Sequence, residues 1–195
     1  MRLQTLRLSF WLAAAALFVV VPAQAQQSQE VTNCVDRDKK FDPDVVIGGC
    51  SAVIRSGEYT GKNLAWALNN RGTVYHGKGE NDLAIKDYTE AVRLNPEYTS
   101  GYYNRGNSYI RKKEYDRAIA DYNKALSLTV PATVYAEGEA KRANRIRADY
   151  FYGRGRAYNF KSDTKRAMAD FKEALRLDPG HDQAKTELAE LEKKS

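Results

Sequence analysis

The chain has 195 residues, 43% hydrophobic and 29% charged, with a formal net charge of +6. That is enough material for one globular domain with a continuous core, and a charge this mild does not indicate a nucleic-acid partner. Thirteen Tyr stand against six Phe, so most large packing residues keep a polar tip, which suits partly buried seams and binding faces.

In chain order, the first residues do not belong to the fold. Arg2 and Arg7 make a positive front end without any acid, Phe10 to Val21 is an apolar run, and Pro22-Ala23-Gln24-Ala25 ends it in an Ala-x-Ala arrangement. That is the pattern of a secretory signal peptide over 1–25, cut after Ala25. The run falls short of the ~20 residues that span a bilayer. No Cys follows the cut, and no later stretch is apolar enough to span. The expectation is a periplasmic or secreted protein with no membrane span after cleavage. Losing two Arg from 31 basic residues against 25 acidic ones leaves a mature charge of +4. The mature chain has two cysteines, Cys34 and Cys50, and an even count in an exported protein reads as one disulfide.

Beyond residue 64 the sequence repeats. Gly72 and Gly106 are 34 apart, as are Tyr75 and Tyr109, Ala84 and Ala118, Tyr88 and Tyr122, Ala91 and Ala125, and Leu94 and Leu128. A further copy is offset by 49, which is one period plus 15 residues, at Gly155, Tyr158, Ala167, Phe171, Ala174 and Leu177. Ala84, Tyr88 and Ala91 sit at i, i+4 and i+7, one stripe of a helix. Gly72 and Tyr75 belong to an earlier helix, Lys78 to Asn81 form the turn, and Asn95-Pro96 stops the second helix. A small residue at Gly72 and Ala84 lets two antiparallel helices approach closely. One such hairpin cannot bury its own stripe, so hairpins must stack.

The small residue at Gly72, the aromatics at Tyr75 and Tyr88, Ala84, Ala91 and Pro96 resemble the tetratricopeptide repeat, with the "NNRG" and "AIKDYTEAVRLNP" signatures of a bacterial subtype. The resemblance implies an all-α solenoid of helical hairpins, with clear repeats at 65–98, 99–132 and 148–181. A degenerate first repeat occupies 26–64: Cys34 precedes Gly72 by 38 residues and Cys50 precedes Tyr88 by 38. The cysteines thus stand in the small slot and the second aromatic slot, which pack together in the other copies. A bond there closes a short loop, worth ~3 kcal/mol in the chain-entropy model, and helps a short polar first helix expected at Val31 to Lys40.

An insertion at 133–147, rich in Ala, Glu, Lys and Arg, follows Pro131, which can start a helix running into the third repeat; Gly138 weakens it. After Asp182, a good N-cap, Ala184, Leu188 and Leu191 lie at i, i+4 and i+7, giving a capping helix over 182–195.

Catalytic chemistry is not evident. Gly72 to Lys78 fits the start of a phosphate-binding loop, but Gly79 stands where a hydroxyl would bind magnesium, and the segment is helical. Gly153-Arg154-Gly155 begins a dinucleotide motif that fails at Tyr158. His76 and His181 lie in different repeats without a ligand cluster. The reading is a non-enzyme with no cofactor and no metal. Arg71, Arg105 and Arg154 each precede an acid by 16 residues (Asp87, Asp121, Asp170), a pairing across the hairpin. A second stripe on the first helices carries Asn69, Thr73 and His76, then Tyr103, Asn107 and Ile110, then Tyr152, Arg156 and Asn159. In proteins this chain resembles, that stripe lines a concave groove for an extended peptide or partner helix. The family's groove that clamps a C-terminal carboxylate needs Lys where Trp66, Ser100 and Asp149 stand, so that specificity does not carry over. The function expected is protein–protein interaction through Asn69, Thr73, Tyr103, Asn107, Tyr152, Arg156 and Asn159, with a protein or peptide partner. The competing surface is the basic quartet Lys141, Arg142, Arg145 and Arg147. The alternative is a self-assembling structural subunit of a cell-envelope complex, a homodimer formed through the insertion or an open repeat end.

The exported protein should begin at Gln26 and carry no free thiol. Intact mass before and after alkylation without reductant tests both, and two alkylated cysteines would remove the bond.

Overall fold

A computed structural model describes residues 23–35, 40–129 and 137–194. Most of the expected leader, Pro131 and the start of the expected insertion lie outside the described residues. Within them are nine α-helices, one 3-10 turn (Gly61–Leu64) and no strand. Helices α1 (Ala23–Val35) and α2 (Pro43–Ser56) form the first hairpin. Then come α3 (Ala65–Gly77) with α4 (Asn81–Leu94), α5 (Thr99–Arg111) with α6 (Tyr115–Leu128), and α7 (Glu137–Phe160) with α8 (Thr164–Leu177). A last helix, α9 (Asp182–Glu192), lies on α8. Each hairpin packs on the next through its second helix, giving an all-α solenoid.

The hairpins close at Gly72, Gly106 and Gly155. A Cβ on Gly72 would stand 2.8 Å from the Tyr88 ring, on Gly106 3.0 Å from Tyr122, and on Gly155 2.7 Å from Phe171. The rings Tyr88, Tyr122 and Phe171 are fully buried, as are Ala84, Ala118 and Ala167 beside them. The same rings serve the next hairpin: a Cβ on Gly153 would meet Tyr122 at 2.7 Å.

The turns inside the second, third and fourth hairpins repeat one backbone feature. Gly79, Lys113 and Ser162, equivalent positions, are all left-handed, at φ 81, 61 and 60. Only the first copy uses the residue for which that conformation is cheap. Helices α4 and α8 end in extended caps at Asn95 and Asp178, each before a proline. At the front of α2, the Asp42 carboxylate accepts from the Asp44 amide and Pro43 takes the first helical position, where its missing N–H costs nothing.

Two boundaries differ from the sequence reading. The first helix, Ala23–Val35, starts before the expected Val31, because its polar Gln-rich start shows no apolar stripe to mark where it begins; residues 36–39 of the expected Val31 to Lys40 lie outside the described residues. The cap of α9 is His181, whose Nδ1 accepts from the Ala184 amide at 3.2 Å, while Asp182 is already helical. Residues 137–147 run without a break into the first helix of the last full hairpin.

Replacing Gly106 with Leu should cost about 3 kcal/mol or more, because Tyr122 is held from two hairpins and cannot retreat. Chemical denaturation measures it; a loss under 1 kcal/mol would contradict the close approach. Lys113→Gly and Ser162→Gly should each raise stability by about 0.5–1 kcal/mol through relief of the left-handed backbone, whereas Gly79→Ala should lower it.

Candidate functional site

The charge pairs form a ladder through the stack. Arg71 donates from Nε and Nη2 to both oxygens of Asp87, at 2.7 and 2.8 Å. Arg105 holds Asp121 and Arg154 holds Asp170 in the same fork, at 2.7–2.8 Å. The third arm reaches the preceding hairpin: Nη1 of Arg71 donates to Ser51, of Arg105 to Thr89, and of Arg154 to Asn123. Those acceptors each follow the second-helix packing residue, Cys50, Tyr88 or Tyr122. One guanidinium therefore ties three helices. The aspartates are buried, and each hydrogen-bonded carboxylate raises its arginine above the usual guanidinium value. This is a structural role, which leaves the arginines unavailable to a ligand.

A second ladder runs along the outside. Lys78, Lys112 and Lys161, one residue before the left-handed turn, pair with Asp44, Asp82 and Asp116 at the start of the preceding hairpin's second helix. The aspartates are 76–83% exposed, so each pair contributes little.

The first hairpin departs from this plan. Asn33 and Gly49 occupy the places of Arg71 and Asp87, and a Cβ on Gly49 would meet Asn33 at 2.7 Å. Beside them the sulfurs of Cys34 and Cys50 are joined, Cα to Cα at 4.5 Å and fully buried. Their separation of 16 residues is that of Gly72 and Tyr88.

The stripe expected to line a groove lies on consecutive first helices, and much of its polar capacity is used between its own members and neighbours. Asn69 is buried and accepts from Asn104 of the next helix at 2.9 Å. Thr73 is exposed and accepts weakly from the Tyr88 hydroxyl at 3.3 Å. Asn107 accepts from the Tyr122 hydroxyl at 2.7 Å. Tyr103 packs between Tyr122 and Tyr150, with ring centroids at 5.9 and 4.9 Å. Burial pushes its phenol above the usual tyrosine value.

At the C-terminal end, three stripe residues converge on one carboxylate of α9. Tyr152 donates its hydroxyl to Glu187 at 3.2 Å, Asn159 its amide at 3.4 Å, and Arg156 Nε stands 3.6 Å away. Burial first, then the Glu187 charge, pushes the Tyr152 phenol up to about 12. Nothing in the sequence spacing pointed to Glu187, because α9 is not part of the period. Of the basic quartet, Arg147 donates to the Thr129 carbonyl and Arg145 faces Asp178 at 3.5 Å, while Lys141 and Arg142 are exposed.

His76 is more than a bystander on the stripe. Its Nδ1 lies 2.8 Å from Oγ of the buried Ser108, bridging two hairpins. Burial, then the Arg111 charge, holds its pKa below the ordinary 6.5. Among the described residues no group of His, Cys, Asp and Glu is placed to hold a metal, and no helix is long and apolar enough to cross a membrane.

Family models described as tetratricopeptide repeat match residues 65–98, 100–128 and 148–181. Among solved structures, the chain is similar to the first TPR of Spaghetti (RPAP3) bound to the HSP90 peptide SRMEEVD. Identity is 25%, the match covers 71% of this chain and 98% of that one, and the TM-score is 0.59. It is similar also to the second TPR domain of the human RPAP3 protein in complex with the HSP70 peptide SGPTIEEVD. There identity is 26%, coverage 64% and 92%, and the TM-score 0.53. MamA 41-end from Desulfovibrio magneticus RS-1 shares the fold, at 15% identity, 87% and 83% coverage and a TM-score of 0.66. No curated protein sequence matches.

Asp121→Ala should cost about 3 kcal/mol, since it strands Arg105 between three helices, whereas Arg105→Met with Asp121→Leu should cost less than that single change. Denaturant midpoints rank the two; equal losses would argue against the pair. For His76, a folded pKa below the unfolded one means that protonation favours the unfolded chain. Its stability contribution is complete above pH 6.5 and is lost as pH falls through the lower folded value. Melting temperature between pH 7 and 5 should therefore fall less steeply in His76→Ala.

Proposed function

Because the chain is a tetratricopeptide-repeat protein, we propose that it is an interaction module that binds a peptide or partner helix of another protein in the concave groove of its repeats. The observation that carries the reading is the alignment of one stripe across three consecutive first helices, with Thr73, Asn107, Arg156 and Asn159 placed along it. Similar structures bind peptides: the RPAP3 domains are described with HSP90 and HSP70 peptides. The resemblance implies lysines for clamping a C-terminal carboxylate where Trp66, Ser100 and Asp149 stand, so that specificity is not carried over to this groove. Amide and guanidinium groups on a curved helical surface suit the backbone and side chains of an extended segment.

The compartment follows from the leader. A signal peptide at 1–25 directs the chain to the periplasm or beyond, where a bond between Cys34 and Cys50 is stable. In that setting the first hairpin, which has no arginine rung, is held by the cysteines.

The groove is tested at residues outside the core. Tyr103 is packed against two rings, so its removal would unsettle the fold; Arg156 and Asn159 are only partly buried and touch α9 through Glu187. Changing Arg156 and Asn159 together to Ala should cost partner affinity at least ~1–2 kcal/mol with little change in melting temperature. Neutralising Lys141, Arg142, Arg145 and Arg147 should mainly change the salt dependence of binding to an acidic partner. Titration calorimetry with a partner captured from the envelope reads both. A partner that ignores the groove pair and is lost with the quartet moves the site to the insertion.

A further inference from the structure

First helices of neighbouring hairpins share one more repeated contact, and α9 inverts it. One residue before the rung position stand Asn70, Asn104, Gly153 and, in α9, Glu187. Asn70 donates its amide to the Cys34 carbonyl of the preceding first helix at 3.1 Å, and Asn104 donates to Asn69 at 2.9 Å. Glu187 brings a carboxylate to the same place. It accepts from Tyr152 at 3.2 Å and from Asn159 at 3.4 Å, and Arg156 Nε stands 3.6 Å away. All three belong to the stripe assigned to the ligand.

The rest of α9 is held by other means than the hairpins before it. Leu188 stands at the rung position, so the arginine ladder does not reach this helix. Ala184 and Leu191 share a buried cluster with Phe171 and Ala174 of α8. Lys172 and Glu192 pair at 3.3 Å with both side chains largely exposed, which contributes little. Arg156 lies over two rings, Tyr152 and Phe160, each centroid 5.7 Å from its guanidinium carbon, so its direction is set before any ligand arrives. The Arg156 and Glu187 side chains are 35% and 27% exposed. Solvent reaches the pair, and none of the three contacts to Glu187 is short.

We propose that Glu187 is an autoinhibitory contact: it holds the place that an acidic side chain of the bound polypeptide takes, and it must leave before that side chain docks. The carboxylate already seated there gives the chemistry of the occupant. A hydroxyl, an amide and a guanidinium converge on it, and a carboxylate answers all three, whereas a neutral group leaves the guanidinium without a counter-charge. Two carboxylates on the same donors would set like charges side by side. Seating of Glu187 and binding of the acidic side chain therefore oppose each other, and such coupling is reciprocal. The exchange needs only the Glu187 side chain to turn away, since Ala184 and Leu191 keep α9 on α8. The proposal rests on the reading of the chain as a polypeptide binder and adds a regulated end to its groove.

The test uses the mature protein and two end-blocked pentapeptides of alanine, one with a central glutamate and one with a central glutamine. Resonances of the Asn159 side-chain amide and the Arg156 Nε–H read binding. In Glu187→Ala the glutamate peptide should shift both saturably, with a dissociation constant at least about fivefold below that of the wild type. The glutamine peptide should move neither. Glu187→Gln keeps an acceptor for Tyr152 and removes the charge. It should gain in the same direction while melting at the wild-type temperature, which separates the gain from a loosened helix. Equal dissociation constants in the wild type and both variants, or equal responses to the two peptides, would overturn the proposal. So would acetate shifting the two resonances as strongly as the glutamate peptide at equal concentration, which would make the cluster a small-anion site. The groove fails separately: a polypeptide partner unaffected by the Arg156/Asn159 pair, alongside a peptide gain in Glu187→Gln, supports the autoinhibitory contact and removes the groove reading. A partner weakened by the pair, with no peptide gain in either Glu187 variant, keeps the groove and removes the contact.

Discussion

One distance along the chain governs the architecture: residues 16 apart face each other across a hairpin. Gly72 and Tyr88 use that spacing for close packing, Arg71 and Asp87 for charge, and Cys34 and Cys50 for a covalent link. In the second, third and fourth hairpins a left-handed residue closes the turn, at Lys113 and Ser162 in a conformation that favours glycine. With the spacing held, adjacent slots can be filled by different chemistry without altering the hairpin. The first hairpin shows the exchange: Asn33 and Gly49 provide no charge pair, and the neighbouring cysteines stand where a glycine and an aromatic ring stand elsewhere.

What the sequence could disclose was whatever repeats or alternates. The period of 34 placed the hairpins, and the spacing of 16 brought each arginine to its aspartate in all three copies. The third arm of each arginine was not legible, because its acceptor changes from Ser51 to Thr89 to Asn123 and shares only hydrogen-bonding capacity. The outer lysine ladder was missed for a similar reason: the pairs span neighbouring hairpins, and insertions of different length break their spacing. Helix ends followed local chemistry that periodicity does not see. His181 caps α9 through a ring nitrogen, and the start of α1 carries no apolar stripe.

The stripe on the first helices was legible as a pattern but not as a surface. Spacing put Tyr103 and Asn107 on it, yet Tyr103 is packed among rings and Asn107 answers the Tyr122 hydroxyl. Large polar aromatics do double duty here, since a buried phenol must find an acceptor and takes it from the inner face. The part of the stripe nearest α9 is drawn together by Glu187, a residue outside the repeat, so its geometry depends on a helix that no internal copy foreshadows.

The arginine ladder also has a direction. Every third arm points toward the N-terminal neighbour, like a monomer that can add to only one kind of end. At the first hairpin the rung position holds Asn33, so the series starts without an arginine of its own. At the last, Lys172 sits where Ser51, Thr89 and Asn123 accept, and it meets Glu192 of α9 at 3.3 Å. A second copy laid end to end would bring no arginine to one face and find a cation at the other. The arginine rungs therefore run one way through the stack, from an end where Asn33 replaces the donor to an end where Lys172 replaces the acceptor.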